Sequence, residues 1–125
     1  MSFDWTEYLN LAETLVREKA IFTNEEACLR AAISRAYYSA FCAARNRARD
    51  LDGLAVTNAT ADHGLVKQHY QAATDRRRKK IGTWLDRLRL NRNHVDYEDS
   101  VSQVDALCNS SLAQARNVLN ELKTL

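Results

Sequence analysis

The 125-residue chain has no proline and only three glycines, Gly53, Gly64 and Gly82. So few turn residues argue against a fold of many hairpins, while abundant Ala, Leu, Arg and Glu favour helix on propensity. An all-α fold follows. Cysteine is also scarce: Cys28, Cys42 and Cys108 are odd in number and lack paired metal-ligand spacing, so neither a disulfide framework nor a zinc site is indicated. They read as small buried apolar residues, and no metal or other cofactor is implied. No apolar run is long enough for a signal peptide or a membrane span, and the first residues, MSFDWTEY, already carry acids. The expectation is a cytoplasmic protein with no membrane partner. Repeats, low-complexity tracts, Gly-rich phosphate loops and nucleophile elbows are absent as well. The length suits one domain over residues 1–125, burying about two-thirds of its unfolded surface.

Hydrophobic spacing divides the chain into helices. Asp4 and Glu7 have the spacing of a capping box, and Trp5, Tyr8, Leu9, Ala12, Leu15 and Val16 predict a first helix from Trp5 to Lys19. Thr23 or Asn24 is the next N-cap, ahead of Glu25 and Glu26. The second helix is the best defined, its stripe made of Leu29, Ile33, Ala36, Tyr37, Ala40, Phe41, Ala44 and Ala48. Its alanines invite close helix pairing, within or between chains. Asp50 to Asp62 loses the period and reads as a mobile loop. A weaker helix is predicted from His63 to about Ala73. A fourth carries Ile81, Trp84, Leu85, Leu88 and Val95 inward, with Arg78, Arg89 and Arg92 on other faces. Asp99 or Ser100 caps a fifth through Leu122.

Net charge is only +2, yet eight Lys and Arg residues fall between Arg76 and Arg92: Arg76, Arg77, Arg78, Lys79, Lys80, Arg87, Arg89 and Arg92. Only Asp86 opposes them before Asp96, and His94 stands two residues after the last of them. A localised basic segment implies a localised anionic partner. Arg supplies planar paired donors for phosphate oxygens, and His titrates near neutrality, which suits proton transfer at a phosphodiester. The plainer reading of Arg76 to Lys80 is a solvated helix start, and of Tyr37, Tyr38 and Phe41 core or interface packing. His63 and His69 read as structural.

The run SRAYYSAFCAARNRARD, Ser34 to Asp50, resembles the second helix of HEPN domains, small helical domains of prokaryotic toxin and defence systems. His63 sits where many relatives carry a His after the loop, and RNHVDY, Arg92 to Tyr97, resembles the closing signature of the family. The resemblance implies an up-and-down bundle of four or five helices, a homodimer and, in catalytic members, a metal-independent RNA endonuclease. A nucleotidyltransferase antitoxin is the partner it suggests, with Tyr97 a possible modification site. The signature of active members, an Arg followed after four to six residues by a His, is met by Arg89 with His94 and by Arg87 with His94. Leu90 and Leu88 stand where a polar residue often follows that Arg. Arg92 does have a polar follower, Asn93, but its register ends at Tyr97 in place of a His. In that register the chain is a non-catalytic module that dimerises and binds RNA, nucleotide or the partner protein.

Helical geometry adds a constraint. At about 100° per residue, Arg89 and His94 lie about 140° apart, and Arg87 and His94 share a face but sit roughly 10 Å apart along the axis. One phosphate is not readily reached by both in one straight helix. A site composed across a twofold axis resolves this: one chain's Arg would serve its partner's His while an RNA 2′-hydroxyl attacks the adjacent phosphate.

Overall fold

The Asn24 side chain accepts a hydrogen bond from the Ala27 amide at 2.9 Å, and Glu25 and Glu26 follow where a helix N-terminus favours negative charge. From that cap starts the longest element of the computed structural model, which describes residues 2–22 and 24–125; Thr23, the other expected cap, lies outside them. The elements are α1 (Thr6–Arg17), a 3-10 turn (Lys19–Ile21), α2 (Glu25–Asp52), α3 (Asp62–Gln71), α4 (Arg76–Tyr97) and α5 (Val104–Thr124). The described residues contain no strand, and none of their helices is long and apolar enough to cross a membrane.

Helix α2 is the axis of the bundle because its apolar residues occupy more than one face. It packs chiefly on α1 and α5, then on α4 and α3, while α3 leans mainly on α4. Every residue of its expected stripe is buried, as are Cys28, Cys42 and Cys108, all free thiols. Alanines Ala32, Ala36, Ala40, Ala44 and Ala48 are fully covered, so the neighbouring helices approach its backbone closely. Tyr70 from α3 donates its hydroxyl to the Ala44 carbonyl at 2.8 Å, and burial pushes that phenol up to about 12. Gly82 marks the tightest approach of α4 to α3: an added Cβ there would lie 2.8 Å from the Gln71 amide nitrogen.

Several expected boundaries are corrected by tertiary contacts. Helix α1 stops at Arg17, and its start is no capping box: the Asp4 carboxylate accepts from the Thr6 amide at 3.0 Å and the Thr6 hydroxyl at 2.6 Å, two residues on. Helix α2 runs on to Asp52 and closes at Gly53, in the left-handed region at φ +74°, where the Leu54 amide reaches back to the Ala48 carbonyl. Helix α5 begins at Val104, so neither Asp99 nor Ser100 caps it. Arg30 explains this, because its guanidinium donates to the carbonyls of Val95 at 2.8 Å, Glu98 at 2.7 Å and Asp99 at 3.2 Å. Those bonds satisfy the orphan carbonyls at the end of α4 and hold the next residues out of helix.

Candidate phosphate site

Two arginines three residues apart on α4 lie only about 60° apart around the helix, so Arg89 and Arg92 project to neighbouring positions. Arg92 falls into the inward rhythm of Ile81, Leu85, Leu88 and Val95 and is only 8 % exposed, which corrects the expectation that it lies on another face. Its guanidinium sits 5.5 Å from the centre of the Tyr37 ring and 5.4 Å from that of Tyr38, both on α2. Aromatic faces attract a desolvated cation, which is why an arginine is tolerated in a core register. Asp96, one turn on, lies 3.7 Å from Arg92 and accepts from the Ser34 hydroxyl at 3.3 Å.

His63 reaches the same cluster from the start of α3. Its neighbour Asp62 is 3 % exposed and accepts from the Thr57 amide and hydroxyl, both at 2.7 Å, and from the Asn58 amide at 2.8 Å. These bonds hold the Asp62 carboxyl below its usual range and tie the second half of the 53–61 loop to the start of α3. The loop expected to be mobile is thereby tethered. The imidazole stacks on Phe41 at 4.5 Å between ring centres and, more loosely, on Tyr37 at 5.6 Å. Its Nδ1 makes a short hydrogen bond with the Tyr37 hydroxyl.

That bond decides what His63 presents. Tyr37 is 1 % exposed, burial raises its phenol well above the ordinary value, and its hydroxyl has no other partner among the described residues. An unspent buried O–H is costly, so the phenol donates to Nδ1 and the imidazole proton resides on Nε2. Burial first, then the nearby Arg89 and Arg92 charges, push the His63 pKa below 6.5, so the ring is neutral at pH 7. It offers a fixed N–H donor, not a base.

The sign of that shift gives a testable consequence. A depressed histidine contributes stability that is full above its unfolded value near 6.5 and lost as pH falls through the lower folded value. The urea midpoint is therefore expected to fall between pH 7.5 and pH 5, before the depressed carboxylates of Asp62 and Asp75 begin to titrate. His63→Gln should flatten that fall. Equal slopes for variant and wild type would place the acid sensitivity elsewhere.

Charge bookkeeping leaves the cluster short of one anion. Arg89 is half-buried, makes no hydrogen bond or ion pair among the described residues, and has a buried Nε without a partner; the Nε of Arg92 is likewise unpaired. Among the described residues Asp96 is the one carboxylate within 4 Å of either guanidinium, and it pairs with Arg92 alone; the Asp62 oxygens are taken up by its own loop. The arrangement can hold a singly charged anion with two adjacent hydrogen-bonding oxygens, a requirement that a phosphodiester meets.

The other sequence candidates lie elsewhere. Arg76, Lys80, Arg87, Leu90, His94 and Tyr97 follow one another at helical spacing along the solvent face of α4, and neither ring nitrogen of His94 is hydrogen-bonded among the described residues. Arg77 is held by Glu121 at 2.6 Å and by the Thr124 carbonyl at 3.1 Å, and Arg78 by Asp75 at 3.1 Å. The segment is thus no single open patch: of Arg76 to Lys80, only Arg76, Lys79 and Lys80 are exposed and without an ion pair among the described residues. The structure brings Arg89 and Arg92 together, and leaves Arg87, His94 and Tyr97 on the outer face. The sequence pattern assigns Tyr37 to packing and His63 to a structural role, whereas the fold places both beside the two arginines. The available signal was an arginine in a core register, which needs a buried partner to face. No protein-family model, curated protein or solved structure matches the chain.

Proposed function

We propose that the protein is an RNA-binding module of the cytoplasm that grips one phosphodiester with Arg89, Arg92 and the Nε2–H of His63. The observation that carries this reading is Arg89, a half-buried guanidinium that meets no carboxylate and makes no hydrogen bond among the described residues. Arg76, Lys79 and Lys80 would add exposed, sequence-independent contacts to the backbone. In a salt titration of single-stranded RNA binding, each phosphate contact contributes a slope of roughly 0.7 in log affinity against log salt. Arg89→Ala is expected to weaken binding at least tenfold and to reduce that slope by about one contact. The triple Arg76→Ala, Lys79→Ala, Lys80→Ala variant should flatten the slope further. RNA affinity indifferent to Arg89 would remove the proposed site.

A second reading rests on a separate observation. His94 is exposed with both ring nitrogens free, and on the same face Leu90 is 61 % and Tyr97 75 % exposed. Apolar surface beside a free imidazole suits contact with a second copy of the chain. In that homodimer His94 of one chain would move protons at the phosphate gripped by the other's Arg89, giving the metal-independent endoribonuclease that the HEPN resemblance implies. A toxin or phage-defence role, with a nucleotidyltransferase partner and Tyr97 as its target, belongs to the same reading.

A further inference from the structure

Beyond the wall formed by Tyr38 and Phe41 lies a second basic and aromatic feature. Arg35, Tyr38 and Arg45 stand on one stripe of α2, and together with Phe41 they face Trp5 and Tyr8 at the start of α1 across a groove of about 370 Å³. That volume is at the lower end of the roughly 300–1,000 Å³ of small-molecule sites. The Arg35 guanidinium lies 4.9 Å from the Tyr8 ring and 5.1 Å from the Tyr38 ring; that of Arg45 lies 5.6 Å from Trp5 and 5.9 Å from Phe41. Neither forms an ion pair among the described residues. Their polar contacts are Ser34 Oγ at 3.4 Å for Arg35 and Asn46 Oδ1 at 3.0 Å for Arg45. The α1 side is fixed, because the Ser39 hydroxyl donates to the Trp5 carbonyl at 2.8 Å and Trp5 and Tyr8 pack edge to face at 5.4 Å.

Four aromatic rings and two cations with no acid among the lining residues form a surface for a flat, electron-rich ring carried on an anionic backbone. We propose that this groove takes an unpaired nucleobase of the RNA strand whose phosphate sits at Arg89, so that the protein reads single strands and rejects duplex. The inference rests on the phosphate-site reading above. Its added ground is continuity: the Tyr38 ring contacts Arg35 on the groove side and Arg92 at 5.4 Å on the phosphate side, and Phe41 contacts Arg45 and His63 in the same way. One ring separates the two sites, close enough for one strand to fill both. A base in a duplex is stacked on its neighbours and has no free face for Tyr8 or Trp5, whereas an unpaired base stacks on aromatic and guanidinium planes.

The test uses the full chain carrying Trp84→Phe, which leaves Trp5 as the one indole. Titration with a single-stranded oligoribonucleotide is expected to change Trp5 fluorescence, and the same backbone lacking its bases is expected to bind without that change. Tyr8→Leu, which keeps an apolar side chain on α1 and lies away from Arg92, should weaken the base-bearing strand about tenfold and leave the abasic strand unaffected. Arg35→Gln should act in the same direction, and thermal melts confirm that both variants fold. Arg89→Ala should weaken both strands. Equal wild-type affinity for base-bearing and abasic strands would overturn the groove while leaving the phosphate site standing. Loss of binding to the abasic strand alone would overturn the phosphate site instead. Fluorescence that depends on protein concentration and not on RNA would assign the groove to a second copy of the chain and end the proposal.

Discussion

In the nuclease reading, His94→Ala is expected to lower chelator-resistant RNA cleavage by two to four orders of magnitude and to leave RNA affinity nearly unchanged. Proton transfer by a positioned imidazole is worth about that much in rate, whereas one exposed ring adds little to binding by several arginines. Arg89→Ala should impair cleavage and affinity together, because it removes the group that grips the phosphate. The two sites lie about 140° apart around α4, so a composite site makes a prediction that a site within one chain does not. Mixing the two inactive variants creates heterodimers in which one of the two sites is intact and the other lacks both groups. With random exchange, roughly a quarter of wild-type activity should return. Product ends should carry a cyclic 2′,3′-phosphate or its hydrolysed form, the mark of attack by the neighbouring hydroxyl. Equal cleavage by wild type and His94→Ala would end the nuclease reading, and failure of the mixture to recover would end the composite one.

Much of the bundle was legible because burial follows helical period. The stripe of α2 from Leu29 to Ala48 and that of α5 through Leu112, Ala115, Val118 and Leu119 are buried as their spacing dictates. What escaped the sequence depends on contacts distant in the chain. Asp99 resembles a helix cap, but Arg30, 69 residues earlier, occupies its carbonyl and delays α5 to Val104. Arg92 looks solvent-directed until the rings of Tyr37 and Tyr38 are placed beneath it. His63 enters the site only because Asp62 locks the preceding loop against the start of α3. Periodicity reports which face is buried and carries no information on what the buried face meets. Residue types in the basic segment pointed to phosphate, but the division of its charges between internal pairs and free groups required Glu121 and Asp75 to be positioned.

Arg89→Met is expected to make the protein more stable while abolishing its grip on phosphate. A buried or half-buried guanidinium loses hydration, and each donor left unmade costs about 1–3 kcal/mol. Arg89 recovers neither loss within the chain: its Nε is buried without an acceptor and it has no ion pair among the described residues. Methionine keeps an unbranched stem of similar length and discards the charge, so a gain of about 1–3 kcal/mol is expected from the urea midpoint at unchanged slope. Arg92→Met should gain less, because Arg92 has partial compensation from Asp96 at 3.7 Å and from the faces of Tyr37 and Tyr38. Added RNA should separate the two states of the site: wild type gains stability as ligand rises above its dissociation constant, and Arg89→Met gains little. A destabilised Arg89→Met variant would identify Arg89 as a structural tether whose positive charge the fold itself requires. A stabilised variant that no longer responds to RNA would show that the chain retains this cation at the expense of its own stability, which is the signature of a group kept for a ligand.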